Sequence, residues 1–112
     1  YYILSIDISP RANVGKGLYV HNRGIVFTDN VHIGDNLTII GPVTLGTKGL
    51  GKKMIKGPTL GNKVIVYTGA RIIGDVSIGD NVSIGANAVV VKNVPSNCVV
   101  VGVPAKIIKR LK

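Results

Sequence analysis

The chain has 112 residues, 46% hydrophobic and 17% charged, a balance too apolar for disorder and the size of a single domain over 1–112. No apolar stretch is long enough to span a bilayer, and Tyr1-Tyr2-Ile3-Leu4 lacks the basic region and cleavage site of a signal peptide, so membrane insertion is not expected. One cysteine, Cys98, leaves no internal disulfide and fits a core position in a reducing cytoplasm; the missing initiator Met suggests a longer parent chain, and a formal charge of +9 asks for an anionic partner.

The first elements are anchored by Ile8, Val14, Val20 and Val26, an aliphatic residue every six positions, and the series resumes with Ile33, Ile39 and Leu45. Four positions after an anchor stands a second small or aliphatic residue, as at Ala12, Leu18, Leu37 and Val43. Neither a 3.6-residue period nor strict alternation gives two inward positions in six; a short strand followed by a turn does. The turns carry Gly-Asp or Gly-Asn, as in Ile33-Gly34-Asp35-Asn36 and Ile78-Gly79-Asp80-Asn81, because these residues tolerate tight corners. The spacing from Val26 to Ile33 is seven, which assigns one extra residue to a corner or bulge there.

From Leu45 to Leu60 the spacing is fifteen, so residues 46–58 are expected to leave the repeat as a loop, and loops on rigid scaffolds are where binding residues gather. Lys48, Lys52, Lys53 and Lys56 form one basic cluster in this segment; Lys106, Lys109, Arg110 and Lys112 form the other. Gly46 to Lys53 nearly matches a phosphate loop, but Lys53 occupies the Ser/Thr position and no strand-then-helix context follows, which argues against nucleotide hydrolysis. Nucleic acid is not the expected partner either, because the chain has no recognised binding motif and its five Phe and Tyr residues make no stacking platform. Beyond the loop the anchors continue through Leu60, Val66, Ile72, Ile78, Ile84 and Val90, and Pro104 is positioned to start a short helical cap over 104–112. Phe27, Ile40, Tyr67 and Ile73 fall at outward positions and fit an interface along the stack.

The repeats resemble the hexapeptide motif of the left-handed parallel β-helix, an all-β solenoid in which three six-residue units close one triangular coil. The ordered set Asp7-Ile8-Ser9-Pro10, Gly17 to Val26, Val43-Thr44-Leu45-Gly46, Ile84 to Val90 and Gly102-Val103-Pro104-Ala105-Lys106 resembles the C-terminal half of the serine acetyltransferase branch of the hexapeptide acyltransferases, from Asp7 to Lys106. The resemblance implies acetyl transfer from acetyl-CoA to a hydroxyl, in homotrimers whose active sites lie between neighbouring subunits. It implies His21 as the catalytic base, contacts to acetyl-CoA from Gly69, Ala70, Ala86, Lys92 and Lys106, contacts to the acceptor from Asn22 and Lys56, and no metal.

The chemistry gives a reason for a histidine at that place. An alcohol is scarcely ionised near neutral pH, so its attack on a thioester needs a base that takes the proton as the new bond forms. His21 follows anchor Val20 directly, so its side chain should leave the coil near a corner. Serine acetyltransferases carry a carboxylate immediately before this histidine and an Arg-His pair before the proline that ends the loop; here Val20 and Lys56-Gly57 occupy those positions. Without them the ammonium of serine loses its counter-charge, and a neutral sugar hydroxyl becomes the favoured acceptor, as in polysaccharide biosynthesis. The alternatives are serine O-acetylation for cysteine biosynthesis and a catalytically inactive trimeric scaffold. The γ-class carbonic anhydrases share the fold but hold zinc with three histidines, whereas this chain has His21 and His32, the latter expected on the surface. Outward threonines are too irregular for an ice-binding face.

Overall fold

The computed structural model describes residues 6–8, 12–21, 25–27, 31–46 and 57–111, the segments 6–8 and 25–27 by backbone alone. They form short strands: β1 (Ile6–Ile8), β2 (Asn13–Val14), β3 (Tyr19–His21), β4 (Ile25–Phe27), β5 (His32–Ile33), β6 (Thr38–Ile40), β7 (Val43–Gly46), β8 (Thr59–Leu60), β9 (Ile65–Val66), β10 (Arg71–Ile73), β11 (Ser77–Ile78), β12 (Ser83–Ile84), β13 (Val89–Val90), β14 (Cys98–Val101) and β15 (Lys106–Arg110). Among the described residues no helix is long and apolar enough to cross a membrane.

Through β13 every third strand lies beside its predecessor. The first sheet is β1-β4-β7-β10-β13, the second β2-β5-β8-β11 and the third β3-β6-β9-β12-β14-β15, parallel throughout except for the last pair. Each circuit of the chain lays one strand on each sheet, so two inward positions in six become a stacked core. Val20, Ile39, Val66, Ile84 and Val100 align rung on rung in the third sheet, and Val14, Ile33, Leu60 and Ile78 in the second. From Val31 to Val100 the anchors and their partners Leu37, Val43, Val64, Ala70, Val76, Val82, Ala88 and Val94 are buried. Each Val, Leu or Ile so placed contributes about 1.5–3 kcal/mol relative to exposure. Cys98 is one of these core residues.

The corner from the second sheet to the third is held by a column of side chains. Lys16 N donates to Asp35 Oδ1 (2.9 Å), Asp35 N to Asn62 Oδ1 (2.7 Å), Asn62 N to Asp80 Oδ1 (2.7 Å) and Asp80 N to Ser96 Oγ (2.8 Å). Beside them Asn36, Asn81 and Asn97 turn the chain with φ of 61°, 56° and 59°, the left-handed conformation Asn tolerates. Gly34-Asp35, Gly61-Asn62 and Gly79-Asp80 all fall on this one corner, whereas Gly74-Asp75 lies between β10 and β11, on the corner from the first sheet to the second.

Two expectations change. The extra residue lies between Val20 and Phe27, not after Val26, because Phe27 pairs with Ile8 on one side and Leu45 on the other, whereas Val26 pairs with Thr44. Phe27 therefore belongs to the anchor rung, and the seven-residue spacing is moved into the segment that opens with His21. Two adjacent apolar residues satisfy the same period; only the register distinguishes them. The short C-terminal helix is likewise replaced by β15, which runs antiparallel to β14. β14 would otherwise present unpaired backbone groups, and the β-branched Ile107-Ile108 prefer an extended chain to a helix. Of the expected loop, Gly46 ends β7 while Gly57 and Pro58 are buried ahead of β8; residues 47–56 lie outside the described residues. Among the outward apolar residues, Ile40 and Ile73 are half-buried and Tyr67 is 39% exposed.

Candidate active site

Alternation along β3 turns Val20 to the core and sends Tyr19 and His21 outward. His21 is the last residue of its strand and stands exposed where the chain leaves the third sheet for the first. The equivalent corners of later coils stack on one another: Gly41-Pro42, Thr68-Gly69 and Ala86-Asn87. Gly41 N donates to the His21 carbonyl (2.9 Å) and Asn87 N to that of Thr68 (2.9 Å), so the column is tied together by backbone. Gly41 and Gly69 have φ of 90° and 80°, the left-handed region that favours glycine, and a Cβ on Gly69 would also displace the Asn87 amide group.

Of the expected acetyl-CoA contacts, Gly69 and Ala86 are members of this column and Ala70 is buried beside it. Gly69 and Ala70 border a cleft of about 100 Å³ with Pro42, Val43, Thr44 and Arg71. Three rung spacings, about 14 Å, separate the level of His21 from that of Ala86. Lys92 and Lys106 come together farther along, on a cavity of about 320 Å³ with Val90, Val94 and Val100 among its lining. An apolar floor with two exposed ammonium groups suits a ligand that is partly apolar and carries anionic groups. Asn22 and Lys56, the expected acceptor contacts, lie outside the described residues.

His32 is exposed on β5, in the second sheet, so the two histidines stand on different faces of the prism. No group of three or more His, Cys, Asp and Glu side chains able to hold a metal occurs among the described residues. Gly57 sits on the corner from the first sheet to the second, where the Pro58 carbonyl accepts a hydrogen bond from His32 N at 3.0 Å. Within one chain the Gly57 position and His21 therefore belong to different corners.

Tyr19 went unnoticed in the sequence. Its ring lies nearly parallel to the His21 imidazole, with centroids 6.4 Å apart and planes at 18°. The signal was its place two residues before the histidine, since i and i+2 of a strand share a face.

Comparison with known proteins gives the geometry a context. Residues 57–92 match the bacterial transferase hexapeptide (six repeats) family. The chain is 45% identical over 111 residues to a serine acetyltransferase of Helicobacter pylori strain J99, covering 97% of this chain and 64% of that protein. It is 43% identical over 110 residues to the serine acetyltransferase of Synechococcus elongatus, covering 96% of this chain and 44% of that one. In structure it is similar to the soybean serine acetyltransferase apoenzyme, with a TM-score of 0.86, 36% identity and coverage of 92% of this chain and 43% of that. It is also similar to the Brucella abortus strain S19 serine acetyltransferase in complex with coenzyme A, with a TM-score of 0.87, 35% identity and coverage of 96% and 43%. The chain thus spans 64% and 44% of the lengths of these two curated relatives.

Proposed function

The chain belongs to the hexapeptide-repeat acyltransferases, on their serine acetyltransferase-like branch, and from that premise we propose that it transfers an acetyl group from acetyl-CoA to the hydroxyl of L-serine. The observation that carries the mechanism is the exposed His21 at the head of the corner column that includes Gly69 and Ala86. The neutral imidazole accepts the hydroxyl proton as the acceptor oxygen attacks the thioester carbonyl. When the tetrahedral adduct collapses, the C–S bond breaks and the imidazolium returns the proton to the departing thiolate, so His21 ends as it began. Gly69 and Ala86 leave the corner open to a chain-like ligand, and Lys92 and Lys106 stand where anionic groups at its far end would be met. Asn22 and Lys56 complete the proposed acceptor contacts.

A homotrimer is part of the proposal. Because His21 and the Gly57 position occupy different corners of one chain, a site that uses both must draw them from neighbouring copies. The left-handed sense of the coil, the single domain over 1–112 and a cytoplasmic location are proposed with it.

The acceptor is where the expectation moves. Val20 and Gly57 led the sequence reading to a sugar, whereas the relatives named above are serine acetyltransferases. A sugar remains the second reading on one observation, that Val20 turns inward and brings no carboxylate beside His21. Thiol release from acetyl-CoA with L-serine, against a panel of sugars and nucleotide sugars, decides between them. Turnover on L-serine that His21→Ala lowers by about 10²–10⁴-fold is expected. Turnover on a sugar alone would overturn the acceptor, and His21→Ala turnover equal to that of the unsubstituted chain would overturn the mechanism.

A further inference from the structure

We infer that Tyr19 is a positioning residue for His21, an inference that rests on the acetyl-transfer reading. Among the described residues β3 is the outermost strand of the third sheet, with β6 beside it. Among the described residues, the neighbours that share the outward face with His21 are Tyr19 along its strand and Ile40 across the rung. Across the rung His21 faces Ile40, a half-buried aliphatic residue without a polar group to fix a ring tautomer or rotamer. Along the strand it faces Tyr19. The 6.4 Å centroid separation and 18° interplanar angle put the two rings in the parallel range of aromatic pairs.

The near-parallel Tyr19 ring, 6.4 Å away between centroids, stands beside the imidazole and biases its rotation about the Cβ–Cγ bond by its bulk. In the neutral imidazole one ring nitrogen carries a proton and the other is the one that takes the proton of the acceptor hydroxyl. Tyr19 is 57% exposed, so little of its ring is used in packing the core, and its removal leaves the stacked aliphatic interior untouched.

The test uses the full chain with Tyr19→Leu and Tyr19→Phe, read by acetyl-CoA turnover and by NMR of the His21 ring protons. Tyr19→Leu is expected to lower kcat about tenfold with KM for acetyl-CoA unchanged, the mark of a misaligned group in the reacting step rather than lost binding. Tyr19→Phe, which keeps the ring, should restore kcat to within about twofold. The His21 ring-proton resonances should carry a ring-current displacement that Tyr19→Leu abolishes and Tyr19→Phe preserves, while core methyl resonances stay in place. Unchanged kcat in Tyr19→Leu overturns the inference, as does a His21 signal with no such displacement. If His21→Ala turns over as fast as the unsubstituted chain, the general-base reading itself has failed and this inference falls with it; the two failures are told apart because the NMR readout needs no turnover.

Discussion

Asn62 stands in the corner column between two carboxylates, Asp35 on one side and Asp80 on the other. Its amide oxygen accepts from Asp35 N as a carboxylate would, but without charge. Replacing it with Asp keeps the acceptor and sets three carboxylates in a row at the rung spacing, about 4.8 Å apart. Coulomb's law in water gives about 0.9 kcal/mol for each adjacent pair, so two new pairs cost about 1.7 kcal/mol at low ionic strength. The net charge of +9 acts in the opposite sense, favouring an added negative charge, but it is spread over the molecule while the carboxylates are adjacent. Asn62→Ala instead removes the acceptor and costs about 1 kcal/mol without added repulsion. Urea denaturation, whose agent carries no charge, separates the two when run at 10 mM and 1 M salt, where the Debye lengths are about 30 Å and 3 Å. The Asn62→Asp deficit relative to the unsubstituted chain should shrink to a few tenths of a kcal/mol in high salt, and the Asn62→Ala deficit should not. An Asn62→Asp chain as stable as the original at low salt, or one whose deficit ignores salt, would refute the account of this corner.

Other perturbations report on the core and on the far end of the prism. Ile84→Ala, at a fully buried rung between Val66 and Val100, is expected to cost about 3–5 kcal/mol in chemical denaturation, since neighbours fixed by stacking cannot collapse into the gap. Ile108→Ala, on an exposed strand, should cost under about 1 kcal/mol. Lys106→Gln should raise KM for acetyl-CoA by about three- to tenfold and leave that for the acceptor alone, as measured by thiol release. Equal effects on both constants would mean that Lys106 does not meet the donor.

The core was legible from the sequence because a stacked coil repeats one inward position every six residues and gives it no choice but an apolar side chain. The corner between the second and third sheets was legible too, since its Gly-Asp and Gly-Asn pairs answer a backbone demand. His21 could be singled out because a ring stands directly after an anchor. What the period could not decide was the phase where Val26 and Phe27 both satisfied it; strand register with β7 decided that. The C-terminal segment misled because Pro104 is compatible with a helix start, whereas pairing with β14 is a tertiary demand that no local signal carries. Tyr19 escaped because a lone aromatic on a strand acquires meaning from what shares its face.

β15 also bears on assembly along the prism axis. A parallel coil is in principle endless, since the last rung of one copy offers the same hydrogen-bonding row that its first rung can receive, and end-to-end addition would make a fibre. The antiparallel strand breaks that repeat in the third sheet, because its backbone groups now run in the wrong sense for a following coil. Its Lys106, Lys109 and Arg110 set like charges against any second copy arriving by the same face. Parallel addition of a further strand to the third sheet beside β15 is thereby opposed.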